Sequence, residues 1–150
     1  MSLQLVAVLV LGLMCGSELN VALFGHPTLE RLPLDVHIAV RSAWAALLGR
    51  VMPFWMATST ILSLLLLLPF EHLERTAREF AAAAFGIQVL SVIFSLAAPV
   101  PINNRIARWT PASLPDNWKA QEHRWDVYHW LRTAGLIVAF AFLALSLGVK

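Results

Sequence analysis

Residues 51–70 read VMPFWMATSTILSLLLLLPF, a segment without a single charged side chain. A helix needs about 20 mostly apolar residues to cross the hydrocarbon core of a bilayer, and this segment meets that requirement. The whole chain shares its character, because 59% of the 150 residues are hydrophobic and only 13% are charged. Soluble domains carry about 25% charged residues. We therefore predict an integral membrane protein that contacts the lipid bilayer.

Three further segments are long and apolar enough to span a membrane: residues 3–24, 80–100 and 131–149. In lipid, backbone polar groups must be satisfied within the segment, as they are in a helix. The chain is thus predicted to be all-α, a single domain over residues 1–150 that folds as a four-transmembrane-helix antiparallel bundle. The first segment has no basic residue ahead of it and no clear cleavage site, so we expect a retained span, not a signal peptide.

The predicted connections differ in length, since residues 71–79 form a short turn whereas residues 25–50 and 101–130 are long. An up-down-up-down bundle places both long connections, as loops or short helices, on one face. Most of the basic residues belong to that face: Arg31, Arg41, Arg50, Arg105, Arg108, Lys119, Arg124 and Arg132. The positive-inside rule then predicts a multi-pass protein of the cell or inner membrane with its long connections in the cytoplasm and both termini outside.

Composition also excludes some classes of protein. The net charge is only +2 and the basic residues form no dense run, so nucleic acid is not an expected partner. The lone Cys15 excludes an internal disulfide and a CxxC motif. Small residues in the first span, Gly12, Gly16 and Ser17, allow close helix contact either within the chain or in a homo-oligomer.

Polar residues are concentrated where the fourth span begins. At about 100° per residue, Trp125, His129 and Arg132 fall within roughly 60° of one another on a helix. One face would then offer a stacking surface, a titratable imidazole and a fixed cation. The ordinary alternative is an interfacial belt, in which Trp and Arg anchor a helix at headgroup depth.

Two other sets of polar residues are predicted to lie at the same end of the bundle. Asn103 and Asn104 follow the third span, where they would bind a ligand or orient His129, or one would simply cap a new helix. Glu18 is a carboxylate inside the first span, and an intramembrane acid is a functional candidate by default. The structural alternative for Glu18 is an ion pair with Arg132 or Arg105.

Glu122, Asp126 and His129 are spaced i, i+4 and i+7 on one helix face, which would suit a metal site. No tight ligand motif such as HExxH accompanies them, and the same spacing suits a solvated helix face. The sequence therefore predicts no metal site.

Taken together, the segment PINNRI at residues 101–106 and the pattern Trp125-x3-His129-x2-Arg132-Thr133 resemble the anthrone oxygenase family (DUF1772). The specific part of the resemblance covers residues 100–134. The matching positions are Pro101, Asn103, Asn104, Trp118, Trp125, His129, Arg132 and Thr133. The resemblance implies a membrane oxygenase that converts polycyclic anthrones to anthraquinones without a bound cofactor.

An anthrone is a carbon acid whose anion reacts directly with O2, and this chemistry assigns expected roles to the residues. His129 or Glu18 would be the base. Arg132, Asn103 and Asn104 would stabilise the oxyanion, and Trp125 and Tyr128 would stack on the rings of a lipophilic small molecule.

Two functions from other classes stay open at this point. One is a small proton-coupled transporter that uses Glu18 and assembles as a dimer to enclose a pathway. The other is a non-catalytic accessory subunit of a membrane complex, which would dock through its Trp-rich segment.

Overall fold

The computed structural model describes residues 2–69 and 71–149, and regular structure within them is entirely helical. Helix α1 (Leu3–Asn20) continues through a π-helical turn (Val21–Gly25) into the short α2 (His26–Leu29). The later helices are α3 (Leu34–Leu65), α4 (Arg75–Ala97), α5 (Pro99–Ile106) and α6 (Trp118–Ser146). Four stretches are long and apolar enough to cross a membrane: residues 3–29, 34–65, 75–97 and 118–146. The predicted all-helical, multi-pass membrane protein is confirmed.

The helices extend well beyond the apolar segments from which they were predicted. Helix α3 begins at Leu34, where the sequence predicted a span only from Val51, and α6 begins at Trp118 instead of Leu131. Most of the two long predicted connections is therefore helical. The reason is that charged side chains in these extensions pair with each other inside the protein, for example Arg41 with Asp126. Hydropathy alone treats such residues as solvated.

The main core lies between α1, α3, α4 and α6. Its best-buried members are Leu11 of α1, Ala81 and Ala84 of α4, and Ala139 and Leu143 of α6. Alanines at these positions let the helix backbones approach closely. In a bilayer no hydrophobic force acts between helices, and such close packing of small residues holds them together.

A buried polar clamp joins α3 to α4. The Ser59 hydroxyl donates to Gln88 Oε1 at 2.8 Å, and Gln88 Nε2 donates to Ser63 Oγ at 2.7 Å. Each polar group thus finds a protein partner, as it must in a nonpolar environment. The clamp sets the distance between α3 and α4 on the side towards the α3 C-terminus.

The chain changes direction between α4 and α5. Ala98 has φ −118° and ψ −72°, outside regular helix geometry, and Pro99 follows it without a backbone N–H to donate. Helix α5 then packs on α3, where Asn103 Nδ2 donates to the Ala45 carbonyl at 2.9 Å. Gly49 permits this contact, because a Cβ at that position would lie 2.9 Å from Asn103 Nδ2.

Candidate functional site

A cavity of about 210 Å³ lies among the helices at the end of the bundle where α4 gives way to α5. Its walls are α3, α4 and α5, and α1 and α6 supply its polar side. The lining residues are Ser17, Glu18, Val21, Leu48, Gly49, Met52, Pro53, Met56, Ala57, Val92, Ser95, Leu96, Pro99, Val100, Asn103, Asn104, Trp125, His129 and Arg132. The cavity is therefore mostly apolar, with its ionisable groups gathered on one side.

Glu18 and Arg132 form a buried ion pair on that polar side. Arg132 Nη2 donates to both carboxylate oxygens of Glu18, at 2.9 Å and 2.6 Å, although 114 residues separate the two. Glu18 is 2% exposed and Arg132 is 9% exposed. The predicted structural alternative for Glu18, an ion pair with Arg132, is therefore present, whereas Arg105 is exposed on α5. Buried charges need such partners because desolvation is costly.

His129 joins this pair and contacts Glu18 through both ring nitrogens. Its Nε2 lies 3.1 Å from the Glu18 carbonyl oxygen, which can only accept, so Nε2 carries a proton. Its Nδ1 lies 3.1 Å from Glu18 Oε2 and 3.2 Å from Arg132 Nη2. In the neutral ring Nδ1 accepts one of the two N–H groups of Arg132 Nη2, which leaves the other for Glu18, and in the protonated ring Nδ1 donates to the Glu18 carboxylate. The geometry accommodates both protonation states with little movement.

Trp125 lies one turn before His129 on α6 and fixes the position of its imidazole. The two rings are stacked, with centroids 4.8 Å apart and planes 12° from parallel. The guanidinium carbon of Arg41 lies 4.8 Å from the Trp125 ring centroid, a cation–π arrangement. Trp125 is itself buried, so it restricts His129 to one orientation towards Glu18.

A second network of polar and charged side chains, separate from the Glu18–His129–Arg132 cluster, links α2 and α3 to α6. Asp126 Oδ1 lies 2.8 Å from both His26 Nδ1 and Arg41 Nη2. Glu122 Oε1 lies 2.8 Å from His37 Nε2 and 3.3 Å from Arg41 Nε. This network holds the first turns of α3 against α6 and thereby supports Trp125.

Two donors at the cavity lack partners among the described residues. Trp125 Nε1 and Arg132 Nε are buried without a hydrogen bond, and both residues line the cavity. An unsatisfied buried donor costs about 1–3 kcal/mol. Each therefore gains if an acceptor oxygen, from water or from a ligand, is brought beside it.

The structure brings together most of the residues that the sequence singled out. Glu18, Asn103, Asn104, Trp125, His129 and Arg132 all line the cavity. Asn103 already uses its amide nitrogen on the Ala45 carbonyl. Tyr128 is not among the lining residues and packs edge-to-face on Phe94, with ring centroids 5.7 Å apart.

The three residues that were candidate metal ligands from their spacing do not converge on one point. Glu122, Asp126 and His129 each contact a different partner, respectively His37, His26 and Glu18. Among residues 2–69 and 71–149, no group of three or more His, Cys, Asp or Glu side chains is arranged to hold a metal ion.

Sequence reasoning missed the supporting role of His26, His37 and Arg41, although a signal for part of it was present. His37 and Arg41 are four residues apart on α3, and Glu122 and Asp126 are four residues apart on α6. Side chains at this spacing lie on the same helix face. Two such pairs of opposite charge predict a paired helix interface.

The model of the anthrone oxygenase family matches residues 42–142, more than half of the chain. The matched region contains Trp125, His129 and Arg132 and does not include Glu18. No curated protein and no solved structure matches the chain. By the family match and its coverage, the chain belongs to the anthrone oxygenase family.

Proposed function

We propose that this protein is a cofactor-independent oxygenase that acts on a lipophilic polycyclic aromatic carbon acid of the anthrone type. The observation that carries the proposal is the cavity, which places an apolar slot against the buried Glu18–His129–Arg132 cluster. A base and a cation beside an apolar wall are the groups needed to ionise an apolar ketone and to hold its anion. Family membership supports the same reaction class.

The proposed base is the Glu18–His129 pair acting as a unit. The substrate CH2 group gives a proton to this pair, and the proton comes to rest on His129 Nδ1, hydrogen-bonded to Glu18 Oε2 at 3.1 Å. Glu18 then stabilises the imidazolium while Trp125 and the Glu18 carbonyl hold the ring. A base whose partner is already in place requires little reorganisation when charge develops.

The substrate oxygen becomes an oxyanion when the CH2 proton leaves, and the proposed donors are the orphaned ones. Arg132 directs Nη2 at Glu18, which leaves its Nε–H unpaired, and Trp125 Nε1–H is unpaired as well. Asn104, exposed at the edge of the cavity, adds an amide. A ligand oxygen placed beside either buried donor would satisfy it.

The oxidation then balances with O2 as the oxidant. The anion gives two electrons to O2 and forms a carbon–oxygen bond, so that a peroxide is attached to the former CH2 carbon. The proton held by the base pair passes to the outer peroxide oxygen. Loss of the remaining C–H proton breaks the O–O bond, and the products are the quinone and one water molecule.

The apolar side of the cavity is lined by hydrophobic side chains, and its volume limits the size of the ligand. Met52, Met56, Val92 and Leu96 supply flexible or branched hydrocarbon surface. The volume of about 210 Å³ is below the usual lower bound of about 300 Å³ for small-molecule pockets. We expect one compact fused-ring molecule, not a long chain.

The test uses purified protein in lipid nanodiscs with anthrone as substrate. We expect O2 uptake and quinone absorbance above the spontaneous rate, in a ratio of one O2 to one quinone. His129→Gln and Glu18→Gln should each lower the rate by a factor of about 10²–10⁴, the usual range for a general base.

The matched control is His123→Gln, which removes an exposed histidine of the same helix. It should keep the full rate. No excess quinone formation by the wild type would refute the oxygenase proposal, and an equal loss in His123→Gln would refute the assignment of the base. The transporter and accessory-subunit hypotheses stay predictions, to be tested by proton-driven uptake in vesicles and by co-purification of partner subunits.

A further inference from the structure

We propose that the cavity opens sideways into the bilayer between α3 and the α4–α5 junction, and that its ligand enters from the lipid. This inference rests on the proposed function for the class of ligand, a fused-ring lipophile. It adds the route by which that ligand reaches the buried cluster.

The α3 side of the lateral opening is a row of residues that line the cavity and are also exposed at the protein surface: Gly49, Pro53 and Ala57. They are four residues apart and so lie on one helix face. Residues that line the cavity and keep a large exposed area are expected where the cavity meets the surface, and this cavity is only partly enclosed. The row spans eight residues, or about 12 Å of helix at 1.5 Å per residue.

The opposite side consists of Leu96, Val100 and Asn104, again four residues apart and all lining the cavity. Leu96 is 65% exposed, and Asn104 is exposed at the α5 end. The lateral opening is thus apolar towards the middle of the bundle and polar towards its end. A ligand with an apolar body and one polar edge fits that gradient.

Two hydrogen bonds join the helices on either side of the lateral opening. Asn103 bonds Ala45 at one end, and Gln88 bonds Ser59 at the other. Ala45 and Ser59 are about 21 Å apart along α3. Gly49 lies against Asn103 at the closed end of this stretch. Beyond it, Pro53 and Ala57 are small, so little fills the space between the helices.

The surface around the lateral opening faces lipid. Pro53 and Ala57 belong to the uncharged segment 51–70, and the neighbouring Phe54 and Ile93 are large, apolar and exposed. Both helices are candidate membrane spans. A hydrophobic ligand concentrates in the bilayer and meets this surface directly. The cluster of Glu18, His129 and Arg132 lies behind it, on the far side of the cavity.

The test measures binding kinetics, which need no catalysis. The probe is anthracene, an unreactive three-ring hydrocarbon, added to protein in lipid nanodiscs and followed by energy transfer from tryptophan. Ala57→Phe narrows the lateral opening and should slow both association and dissociation on the order of tenfold, as a gate does. Leu96→Ala widens it and should speed both rates.

Matched controls lie on the same helices and do not line the cavity. Thr58→Phe places the same phenylalanine side chain on α3 at an exposed position, and Leu90→Ala removes the same atoms as Leu96→Ala from α4, where Leu90 is 66% exposed. Both controls should keep the wild-type rates. Leu96→Ala shortens a side chain that is 65% exposed, so it tests the lateral opening even if Ala57→Phe fails to fold.

The outcomes separate the lateral opening from the proposed function. If the wild type binds anthracene and the variants behave like their controls, the ligand enters elsewhere and the lateral opening is rejected. If Ala57→Phe weakens affinity with an unchanged association rate, Ala57 is a wall of the cavity and not part of its opening, which also rejects it. If the wild type oxidises anthrone but does not bind anthracene, the cavity does not admit an apolar fused-ring molecule from the lipid, and the lateral opening is rejected while the proposed function stands.

Discussion

Replacing Arg132 by glutamine is expected to lower the free energy of unfolding by about 3–5 kcal/mol, the usual cost of removing one partner from a buried ion pair. The structure places the expected loss near the upper end of this range. Glu18 is 2% exposed, and both its carboxylate oxygens accept from the same Arg132 nitrogen. Without Arg132, a carboxylate is left beside the apolar core, with His129 as its nearest ionisable partner.

The double variant Glu18→Gln/Arg132→Gln separates this charge effect from a loss of packing. It removes both charges together, so it should cost less than the sum of the two single variants, with a coupling energy of about 0.5–3 kcal/mol. Arg124→Gln is the control, because Arg124 is exposed on the same helix. The free energies would be measured by steric trapping in lipid bicelles. If Arg132→Gln costs no more than Arg124→Gln, or the double variant is strictly additive, the buried ion pair is not what holds α1 to α6.

Gly49→Ala should destabilise the protein by about 1 kcal/mol, because its Cβ would meet Asn103 Nδ2 at 2.9 Å and weaken a hydrogen bond worth about that much. Gly86→Ala, with open space around its Cβ, should stabilise the protein by about 0.5–1 kcal/mol. Thermal unfolding in detergent compares the two variants. Gln88→Leu should cost about 0.6–1.7 kcal/mol, the range for interhelical hydrogen bonds in membranes; a stabilisation seen by steric trapping would mean that the α3–α4 clamp contributes nothing. Arg41→Gln should lower the free energy of unfolding by about 3–5 kcal/mol, since it leaves two carboxylates of α6 underpaired. Limited proteolysis should then cut the chain near the start of α3. An unchanged cleavage pattern would contradict this role of Arg41.

Much of the architecture could be predicted because hydropathy is a local property. The uncharged run at residues 51–70 requires a membrane helix whatever its neighbours are, and the other three spans follow in the same way. Helix ends were predicted less well. Arg41 and His37 look like residues of a solvated connection, yet they lie inside α3 because Asp126 pairs with Arg41 and Glu122 hydrogen-bonds His37 from a distant part of the chain.

The candidate site shows the same division. Helical spacing was enough to place Trp125, His129 and Arg132 on one face, and the rings of Trp125 and His129 do stack. Spacing could not show that Tyr128, on the next face, packs on Phe94. It also could not choose between Arg105 and Arg132 as the partner of Glu18.

By itself, the sequence determined the membrane class, the helical state and the short list of polar residues near one end of the spans, because each depends on neighbours within a few turns of helix. Only the tertiary structure decided which of those residues meet. Glu18 and Arg132 are 114 positions apart, and their pairing depends on how α1 packs against α6. The cavity likewise exists because Ala98 and Pro99 turn α5 onto α3, and it is the space left between helices that no single segment encodes.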